Sequence, residues 1–317
     1  MIKLCFPFFI KNINQESTIP KEQIIERKNE LIHTTDQQRH RIIAAQTLKG
    51  EGLEIGAFYH PFPIPKNCII SYLDLENVDV MRNLFPELSN KKFIIPDFIG
   101  DLNKKTVIEI TQKKFDFIIF NHVLEHVANP IKIFLHIWDA LKPGGYLIFS
   151  VPDKNYIFDK KRNITSNFHL LADYYLEVQD ICSCHYFDIL EHVHPEAYNS
   201  KETFIAALEK TKSRNEHPHV WDTNQIKSFL KMMFERFNIN AHFFLESYGN
   251  ENQNEYFSVL KKDNAPSVTE FLEVLTIIYN ERDDLKKKYS ENDSEIKNEL
   301  RKWFFPLCWQ GIQMHYY

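Results

Sequence analysis

Glycine is scarce in this chain: only 8 of the 317 residues are glycine, whereas 26 are phenylalanine. This balance predicts compact packing around aromatic side chains. Cysteine is also sparse. The five cysteines are odd in number and scattered, which excludes a disulfide framework like that of small secreted proteins and favours a reducing, cytoplasmic compartment. They are Cys5, Cys68, Cys182, Cys184 and Cys308.

An excess of positive charge is missing too. The net charge of -5 argues against a general nucleic-acid binder, which is usually basic. Long apolar runs are absent as well. The run near the N-terminus is too short to span a bilayer and no small-residue cleavage site follows it, so we expect it to pack on the body of the protein. The sequence therefore predicts a soluble or at most peripheral protein with no integral membrane segment.

Strand-like and helix-like segments alternate along the first half of the chain. A helix over 21–49, closed by Gly50, precedes the first strand. Asn129 and Pro130 occupy the favoured cap and first-turn positions of a later helix. This alternation predicts a doubly wound α/β fold, with a mostly parallel sheet and its ligand at the carboxyl ends of the strands. The five predicted strands are 52–55, 68–75, 92–102, 115–122 and 146–153.

The second half of the chain has a different pattern. Residues 154–222 are rich in histidine and aromatic side chains and contain no clear strand, and an amphipathic helix follows them. Two late segments, 239–247 and 255–262, predict an antiparallel hairpin that ends the sheet. The expected organisation is an N-terminal helical segment, a core in two pieces, a substrate-covering insertion and a helical C-terminal extension: residues 1–44, 45–155 with 236–262, 156–235 and 263–317.

Seven strands ending in a hairpin resemble the class I S-adenosylmethionine-dependent methyltransferases, a Rossmann-like fold. The family's acid-x-glycine turn after the first strand is matched by Glu54-Ile55-Gly56, and "FDFIIFNHVLEHVANP" with "LKPGGYLIFSVPD" looks very like its central block. An acid closing the second strand is matched by Asp74. The resemblance implies S-adenosylmethionine as cofactor, bound by Glu54, Gly56, Ala57, Tyr59, Asp74, Leu75, Asp101, Leu102 and Asn121.

The loop after the first strand departs from the common glycine-rich pattern. Phe58 and His60 stand where further glycines are expected. "GLEIGAFYHPFPIPK", "VPDKNYIFDKKR" and "HPHVWD" are similar to methyltransferase domains of bacterial surface-polysaccharide clusters, some of them fused to glycosyltransferases, whose loop varies in the same way. This narrower resemblance spans roughly residues 45–262. It implies O-methylation of a hydroxyl of a sugar or nucleotide-linked glycan in surface polysaccharide biosynthesis.

Histidine is concentrated in the segment expected to cover the strand ends, where O-methylation needs a group that accepts the hydroxyl proton. A neutral imidazole suits that task near pH 7. His122 closes the fourth strand, Asp153 closes the fifth and His219 precedes the amphipathic helix, so these three are the predicted catalytic residues. Further candidates in the covering segment are His169, His185 and His192.

Two other functional classes remain open. His122-Val-Leu-Glu125-His126 matches the H-x-x-E-H pattern of zinc hydrolases, which requires the whole motif within one long helix. The second is a non-catalytic S-adenosylmethionine-binding or assembly module, in which the extension 263–317 forms a contact. That extension carries a broken apolar stripe and also suggests a homodimer.

Several polar groups have a structural explanation beside the functional one. Asp222 is expected to cap the following helix, with Gln225 returning the bond. Cys182-Ser-Cys184-His185 has no second pair of ligands, so we predict no metal site there. The aspartates and histidines of the chain would nevertheless permit a divalent metal. Residues 160–162, Lys-Lys-Arg, are expected to form a solvated face or to meet an anionic substrate.

Overall fold

One seven-stranded sheet organises the part of the chain described by this computed structural model, residues 39–263. The strand order is β3-β2-β1-β4-β5-β7-β6. Most of the predicted N-terminal segment and nearly all of the C-terminal extension lie outside the described residues. The strands are β1 (Glu51–Ile55), β2 (Ile69–Asp74), β3 (Phe98–Ile99), β4 (Phe115–Asn121), β5 (Leu141–Pro152), β6 (Ala241–Ser247) and β7 (Glu255–Lys262).

Helices follow most strands and fill the insertion. Those within residues 39–263 are α1 (Arg39–Ala45), α2 (Val78–Leu84), α3 (Val107–Thr111), α4 (Pro130–Ala140), α5 (Asn167–Tyr175), α6 (Ser183–His192), α7 (Lys201–Ser213), α8 (Thr223–Arg236) and α9 (Gly249–Asn252). A single 3-10 turn, Leu124–His126, lies between β4 and α4. Among these described helices, none is both long enough and apolar enough to cross a membrane.

The sheet confirms the doubly wound prediction. Strands β1 to β5 pair in parallel, whereas β7 is antiparallel to both β5 and β6. Strand β4 is almost wholly apolar and its five apolar residues are fully buried, as expected for a central strand covered on both faces. The carboxyl ends of β1 to β5 therefore meet at one edge, where the predicted site residues lie.

Helix α4 begins where the sequence predicts. The Asn129 side chain accepts a hydrogen bond from the Lys132 N–H, and Pro130 occupies the first turn. On its buried face, Phe134 packs edge-on against Phe149 of β5 at 5.5 Å and against Phe229 of α8 at 5.8 Å between ring centroids. Because such a residue is shared by three elements, it holds α4 and α8 on one face of the sheet.

The third strand is much shorter than the predicted 92–102, because only Phe98 and Ile99 pair with β2. Pro96 has no N–H to donate to the ladder. The next residue compensates: the Asp97 carboxylate accepts a hydrogen bond from the Tyr72 N–H at 2.8 Å, and its own N–H donates to the Tyr72 carbonyl. A side chain thus replaces one rung of the ladder beside the strand.

Three other boundaries differ from the prediction. Strand β5 starts at Leu141 and includes the segment expected to form only a turn. Of the helix predicted over 21–49, the described part is Arg39–Ala45. Asp222 does cap α8, accepting from the Gln225 N–H at 2.7 Å, but the Gln225 amide donates to Asn167 instead of returning the bond. The cap is confirmed and the capping box is wrong.

Candidate functional site

The turn after β1 requires glycine at its first position. Gly56 has φ +70°, and a Cβ placed there would lie 2.7 Å from Cγ2 of Val123. Its N–H donates to the Leu73 carbonyl of β2 at 2.9 Å. Since both the backbone conformation and the space exclude a side chain, this turn brings the backbone close to the end of β4.

Phe58 stands where the glycine-rich pattern predicts a glycine, and it takes the left-handed backbone conformation. Its φ is +52°, a conformation that costs a non-glycine residue about 1–2 kcal/mol. Its ring packs edge-on against Phe93 at 4.9 Å and Phe85 at 5.1 Å, and its carbonyl accepts from the Ile94 N–H. Aromatic pairs contribute about 0.5–1.5 kcal/mol each beyond burial, so this packing offsets the strain.

The carboxylate of Glu54 closes the same loop. It is buried, and Oε1 accepts a hydrogen bond from the Phe62 N–H at 2.8 Å. Ala57 is buried, and its carbonyl accepts from the His60 N–H, whereas Tyr59 packs beside His60. Glu54 therefore holds the loop in place, whichever ligand the loop contacts.

Asp74 ends β2 beside this loop. Burial is the main cause that raises the pKa of its carboxyl to about 6, despite hydrogen bonds from the backbone of Leu75 and Phe58. Oδ1 accepts from the Leu75 N–H at 2.8 Å. The Leu75 side chain is 42% exposed at the same strand end. An acceptor carboxylate next to an open apolar side chain suits a ribose with its attached base.

Asp101 follows β3 and organises the next turn. Its Oδ1 accepts from both the N–H and the side-chain amide of Asn103, and Oδ2 lies 3.4 Å from Nζ of Lys104. The neighbouring Leu102 is buried in the core. The Asn103 oxygen in turn accepts from the Ala128 N–H. Asp101 thus fixes a turn at the strand ends.

Asn121, the last residue of β4, carries the clearest sign of a missing ligand. Both its side-chain oxygen and its side-chain nitrogen are buried, and neither has a hydrogen-bond partner among residues 39–263. A buried amide left without partners costs about 1–3 kcal/mol per group. Together with the Asp74 carboxylate, this unpaired amide fits a polar cofactor such as the predicted one.

His122 has two carboxylate neighbours. Its Nε2 lies 2.7 Å from Oε2 of Glu255, and its Nδ1 lies 3.5 Å from Oε1 of Glu125. Burial alone lowers the pKa of His122, but the hydrogen bonds and charges of these two glutamates outweigh it and raise the pKa to about 9. With a pKa near 9, His122 is mostly protonated at pH 7, whereas the predicted role as a base requires the neutral ring.

Glu125 is the buried centre of this region. Burial favours a higher pKa for this carboxyl, but the neighbouring rings of His122, His126 and His217 outweigh it and lower the pKa. His126 Nε2 lies 3.9 Å from Oε1, and Nδ1 of the same ring lies 2.7 Å from the Asn215 carbonyl. Glu125, His126 and His217 are close enough to share one ion.

The long helix required by the zinc hydrolase pattern does not form over residues 122–126. His122 has φ +53° and follows the end of a strand, and only the single turn Leu124–His126 comes after it. In that pattern both histidines project from one face of a long helix. The local structure therefore lacks the context on which that alternative depends.

Asp153 is held by protein groups on both oxygens. Oδ1 accepts from the N–H and side-chain amide of Asn155, and Oδ2 accepts from the N–H and hydroxyl of Thr223. The residue is 3% exposed. Four hydrogen bonds to the carboxylate tie the end of β5 to the start of α8, an arrangement typical of a structural acid.

His219 lies under the covering segment. It is 1% exposed, its Nδ1 is buried with no hydrogen-bond partner among the described residues, and its N–H donates to the Glu125 carbonyl. Burial, followed by the rings of His185 and His169, lowers the pKa of His219 well below its usual value. These three predicted histidines lie together, whereas His192 turns away and contacts Asp188.

The expected solvated face at 160–162 is wrong for its third residue. Arg162 is 2% exposed, with its guanidinium bonded to Asp159 at 2.8 Å and to Asp188 at 2.7 Å. Its side chain also lines a pocket of about 330 Å³. The other lining residues are Asn163, Ile164, Thr165, Ser166, His169, Cys184, His185, Asp188, Pro218 and Val220.

Two residues of this region had escaped the sequence-based assignment. Glu125 stands inside the H-x-x-E-H pattern, which pointed to a different chemistry. Glu255 opens β7 and carries no local signal, since its contact with His122 depends on β7 pairing with β5, where Glu255 lies opposite Pro152. Only the pairing of the last strand could have identified it.

A family profile described as a methyltransferase domain matches residues 27–231 of the chain. A curated relative, malonyl-[acyl-carrier protein] O-methyltransferase 2 of Ilyobacter polytropus, is 29% identical over 118 residues, which are 37% of this chain. The match spans 42% of that relative's length, well under two thirds.

Two solved methyltransferase structures are similar to this chain at lower sequence identity. The N-methyltransferase NodS of Bradyrhizobium japonicum, bound to S-adenosylhomocysteine, is 13% identical with a TM-score of 0.35 and covers 76% of this chain and 99% of its own. The plantazolicin methyltransferase BpumL, also bound to S-adenosylhomocysteine, is 12% identical with a TM-score of 0.38. The match covers 77% of this chain and 97% of BpumL.

Proposed function

The chain belongs to the family of methyltransferase domains, and from that premise we propose that it is an S-adenosylmethionine-dependent O-methyltransferase. We place its acceptor among the hydroxyl groups of sugars or nucleotide-linked glycans. The partial match to a malonyl-carrier O-methyltransferase supports oxygen as the acceptor atom, through that relative's name alone. The substrate class is supported by the residues of the pocket under the covering segment.

The cofactor would lie along the carboxyl ends of β1 to β4. When bound, S-adenosylmethionine supplies an electrophilic methyl group. Asp74 would accept hydrogen bonds from the ribose hydroxyls, and the buried, unpaired amide of Asn121 would gain the partners that it lacks. The Gly56 turn and the loop closed by Glu54 would receive the amino-acid end, and the Asp101–Leu102 turn would border the base.

The acceptor would enter the pocket of about 330 Å³ beneath the insertion. Its lining is the single observation that carries the substrate class. Asn163, Thr165, Ser166 and Asp188 bring polar side chains to the pocket. Three of them already bond within the protein, and the hydrogen-bonding capacity that remains suits a polyhydroxyl acceptor better than a long acyl chain. Val220 lines this pocket, and the next residue, Trp221, pairs with Asp153 at the end of β5.

His122 remains our proposed base, with a condition. The pKa of His122 is raised to about 9, so at pH 7 only a minority of protein molecules carry the neutral ring that can accept the hydroxyl proton. The small neutral fraction of His122 is partly compensated, because a base with a higher pKa accepts a proton more readily. We assign Asp153 an orienting role at the floor of the site, consistent with its four hydrogen bonds to protein groups.

A cytoplasmic role in surface polysaccharide biosynthesis is part of the proposal. It is supported by the likeness of the loop 52–65 to the methyltransferases of such clusters and by the scattered cysteines. A nucleotide-linked sugar would be the acceptor in that setting.

The test has two stages. Calorimetric titration with S-adenosylhomocysteine first establishes cofactor binding, with Asp74→Asn as the weakened variant. Transfer of an isotopically labelled methyl group is then measured on a panel of nucleotide sugars, with malonyl-carrier protein as the comparison acceptor. Absence of S-adenosylhomocysteine binding would overturn the enzyme in favour of an assembly module. Binding with transfer only to the malonyl carrier would overturn the sugar acceptor.

A further inference from the structure

We propose that His169, His185 and His219 form a binding site for a divalent transition-metal ion, with zinc as the first candidate. One ring nitrogen from each histidine lies within 4.8 Å of the other two. Zinc with Zn–N bonds of about 2.1 Å spaces its nitrogens about 3.4 Å apart, so small side-chain rotations close the site.

The three rings come from separate elements of the insertion. His169 lies in the first turn of α5, His185 in the first turn of α6, and His219 in the segment before α8. Their ring centroids are 5.0, 5.7 and 5.3 Å apart, in the order His169–His185, His169–His219 and His185–His219. An ion shared among them would join all three elements.

Two nitrogens in this cluster have no hydrogen-bond partner within the described chain. They are Nδ1 of His219 and Nε2 of His169, and both atoms are buried. Oδ2 of Asp173 lies 3.1 Å from Nε2 of His169, and this carboxylate raises the pKa of the His169 ring, so a bound ion would displace it or take it as a further ligand. Buried polar atoms normally have partners, so their clustering indicates a missing ligand.

The remaining histidine shows a hydrogen-bond pattern common among metal ligands. His185 Nδ1 lies 3.0 Å from the Pro218 carbonyl. A carbonyl can only accept, so Nδ1 carries the proton and Nε2 keeps a lone pair. Metal-binding histidines usually donate their second nitrogen to a carbonyl or carboxylate in this way, which fixes the ring and raises its basicity.

The site has room for a fourth ligand. His169 and His185 both line the pocket of about 330 Å³, together with Ser166 and Thr165. Three imidazoles with an open position are the ligand set of catalytic zinc, and imidazole favours zinc, cobalt, nickel and copper over magnesium. Water or an oxygen of a bound ligand would complete the coordination.

Two neighbouring groups compete for the same ion in any experiment. The exposed thiols of Cys182 and Cys184 have sulfurs 2.8 Å apart, and Cys184 lines the same pocket. The trio Glu125, His126 and His217 also meets the distance requirement. In this trio the Nδ1 atoms of both histidines have partners, since His126 Nδ1 contacts the Asn215 carbonyl and His217 Nδ1 contacts Asp159.

The experiment uses the full chain without a histidine tag. Metal content is measured after zinc loading and dialysis, and cobalt(II) is titrated while its visible absorption is followed. Intact protein should bind one ion with the spectrum of tetrahedral nitrogen and oxygen ligation. His185→Gln and His169→Gln should each weaken binding by at least ~10–100-fold, the size reported for losing even an outer partner. His192→Gln on the same helix as His185 is the matched control.

Three results would overturn the site. The first is that the intact protein binds neither zinc nor cobalt above the background measured with a protein that contains no histidine. The second is unchanged binding in both His169→Gln and His185→Gln. The third is loss of binding only in Cys182→Ser with Cys184→Ser, accompanied by a thiolate charge-transfer band, or only in His217→Gln. Circular dichroism of each variant establishes that the fold is retained.

Discussion

Nε2 of His122 lies 2.7 Å from Oε2 of Glu255, which joins the end of β4 to the first residue of β7. The glutamate is 1% exposed and the histidine side chain 32%. A second buried carboxylate, Glu125, faces the other ring nitrogen at 3.5 Å. The site edge of the sheet is therefore held by a cation between two acids.

This pair makes stability depend on pH. The pKa of His122 is about 9 in the folded protein and about 6.5 when unfolded, so its stabilisation is complete below pH ~6.5 and is lost as pH rises towards 9. We expect the free energy of unfolding, from urea denaturation, to fall over this window. Glu255→Gln should flatten the slope, and His136→Gln is the control. If the free energy of unfolding of Glu255→Gln falls with pH as steeply as that of the intact chain, the pH dependence does not come from the His122–Glu255 pair.

The second prediction concerns Asp74. Asp74→Asn should weaken S-adenosylhomocysteine binding by about 1.5–3 kcal/mol, because a charged hydrogen-bond acceptor is lost. Since the carboxyl pKa is about 6 in the free protein, affinity for the intact chain should also fall as pH drops through 6. Calorimetry measures both effects. Asp79→Asn, on the exposed side of the next helix, should bind as the intact chain does; if it is equally weak, the effect is not specific.

The third prediction concerns the turn at Gly56. Gly56→Ala should lower both stability and cofactor affinity, because the new Cβ meets Val123 Cγ2 at 2.7 Å and φ is +70°. Adding Val123→Ala removes the clash but not the strained backbone, so the double variant should recover only part of the loss. Thermal melts and titration check this. Full recovery would show that crowding alone, without backbone conformation, requires glycine here.

The fourth prediction distinguishes a structural Asp153 from a metal ligand. Asp153→Asn replaces one acceptor oxygen with a donor that faces other donors, which should cost about 1–3 kcal/mol of stability. Thr223→Val should cost a similar amount, because it removes the hydroxyl partner on the other side. A chelator should change methyl-transfer activity by the same factor in both variants as in the intact chain. Chelator sensitivity that disappears only in Asp153→Asn would make Asp153 a ligand instead.

The sheet was predictable from sequence because local signals agree with the global fold. Strand β4 is apolar except for Asp116 and Asn121, Asn129 and Pro130 start α4, and the late segments form a hairpin. The site was predictable only in part. His122 and Glu255 are 133 residues apart in the chain. They meet because β7 pairs with β5, which lies beside β4, and no local pattern encodes that pairing.

The covering insertion was the least predictable region. The burial of Arg162 depends on its ion pair with Asp188, which lies in α6 and is distant from Arg162 in the sequence. The clustering of His169, His185 and His219 likewise depends on how α5, α6 and the segment before α8 pack. Composition showed that histidines were abundant there. Only tertiary structure shows which of them share one place.

The final prediction tests whether His122 removes the acceptor proton. If it does, kcat/KM should rise about tenfold per pH unit up to a pKa near 9, because only the neutral ring is active. Glu255→Gln removes the nearer carboxylate and should move the rise to lower pH, which a purely structural role would not do. His122→Gln should lower kcat by ~100- to 10,000-fold and abolish this pH limb, with S-adenosylhomocysteine affinity within a few fold. Removing His122 leaves two buried glutamates without their cation, so kcat must be referred to the folded fraction measured by thermal melting. A pH limb that stays in place in Glu255→Gln would assign the base to another residue.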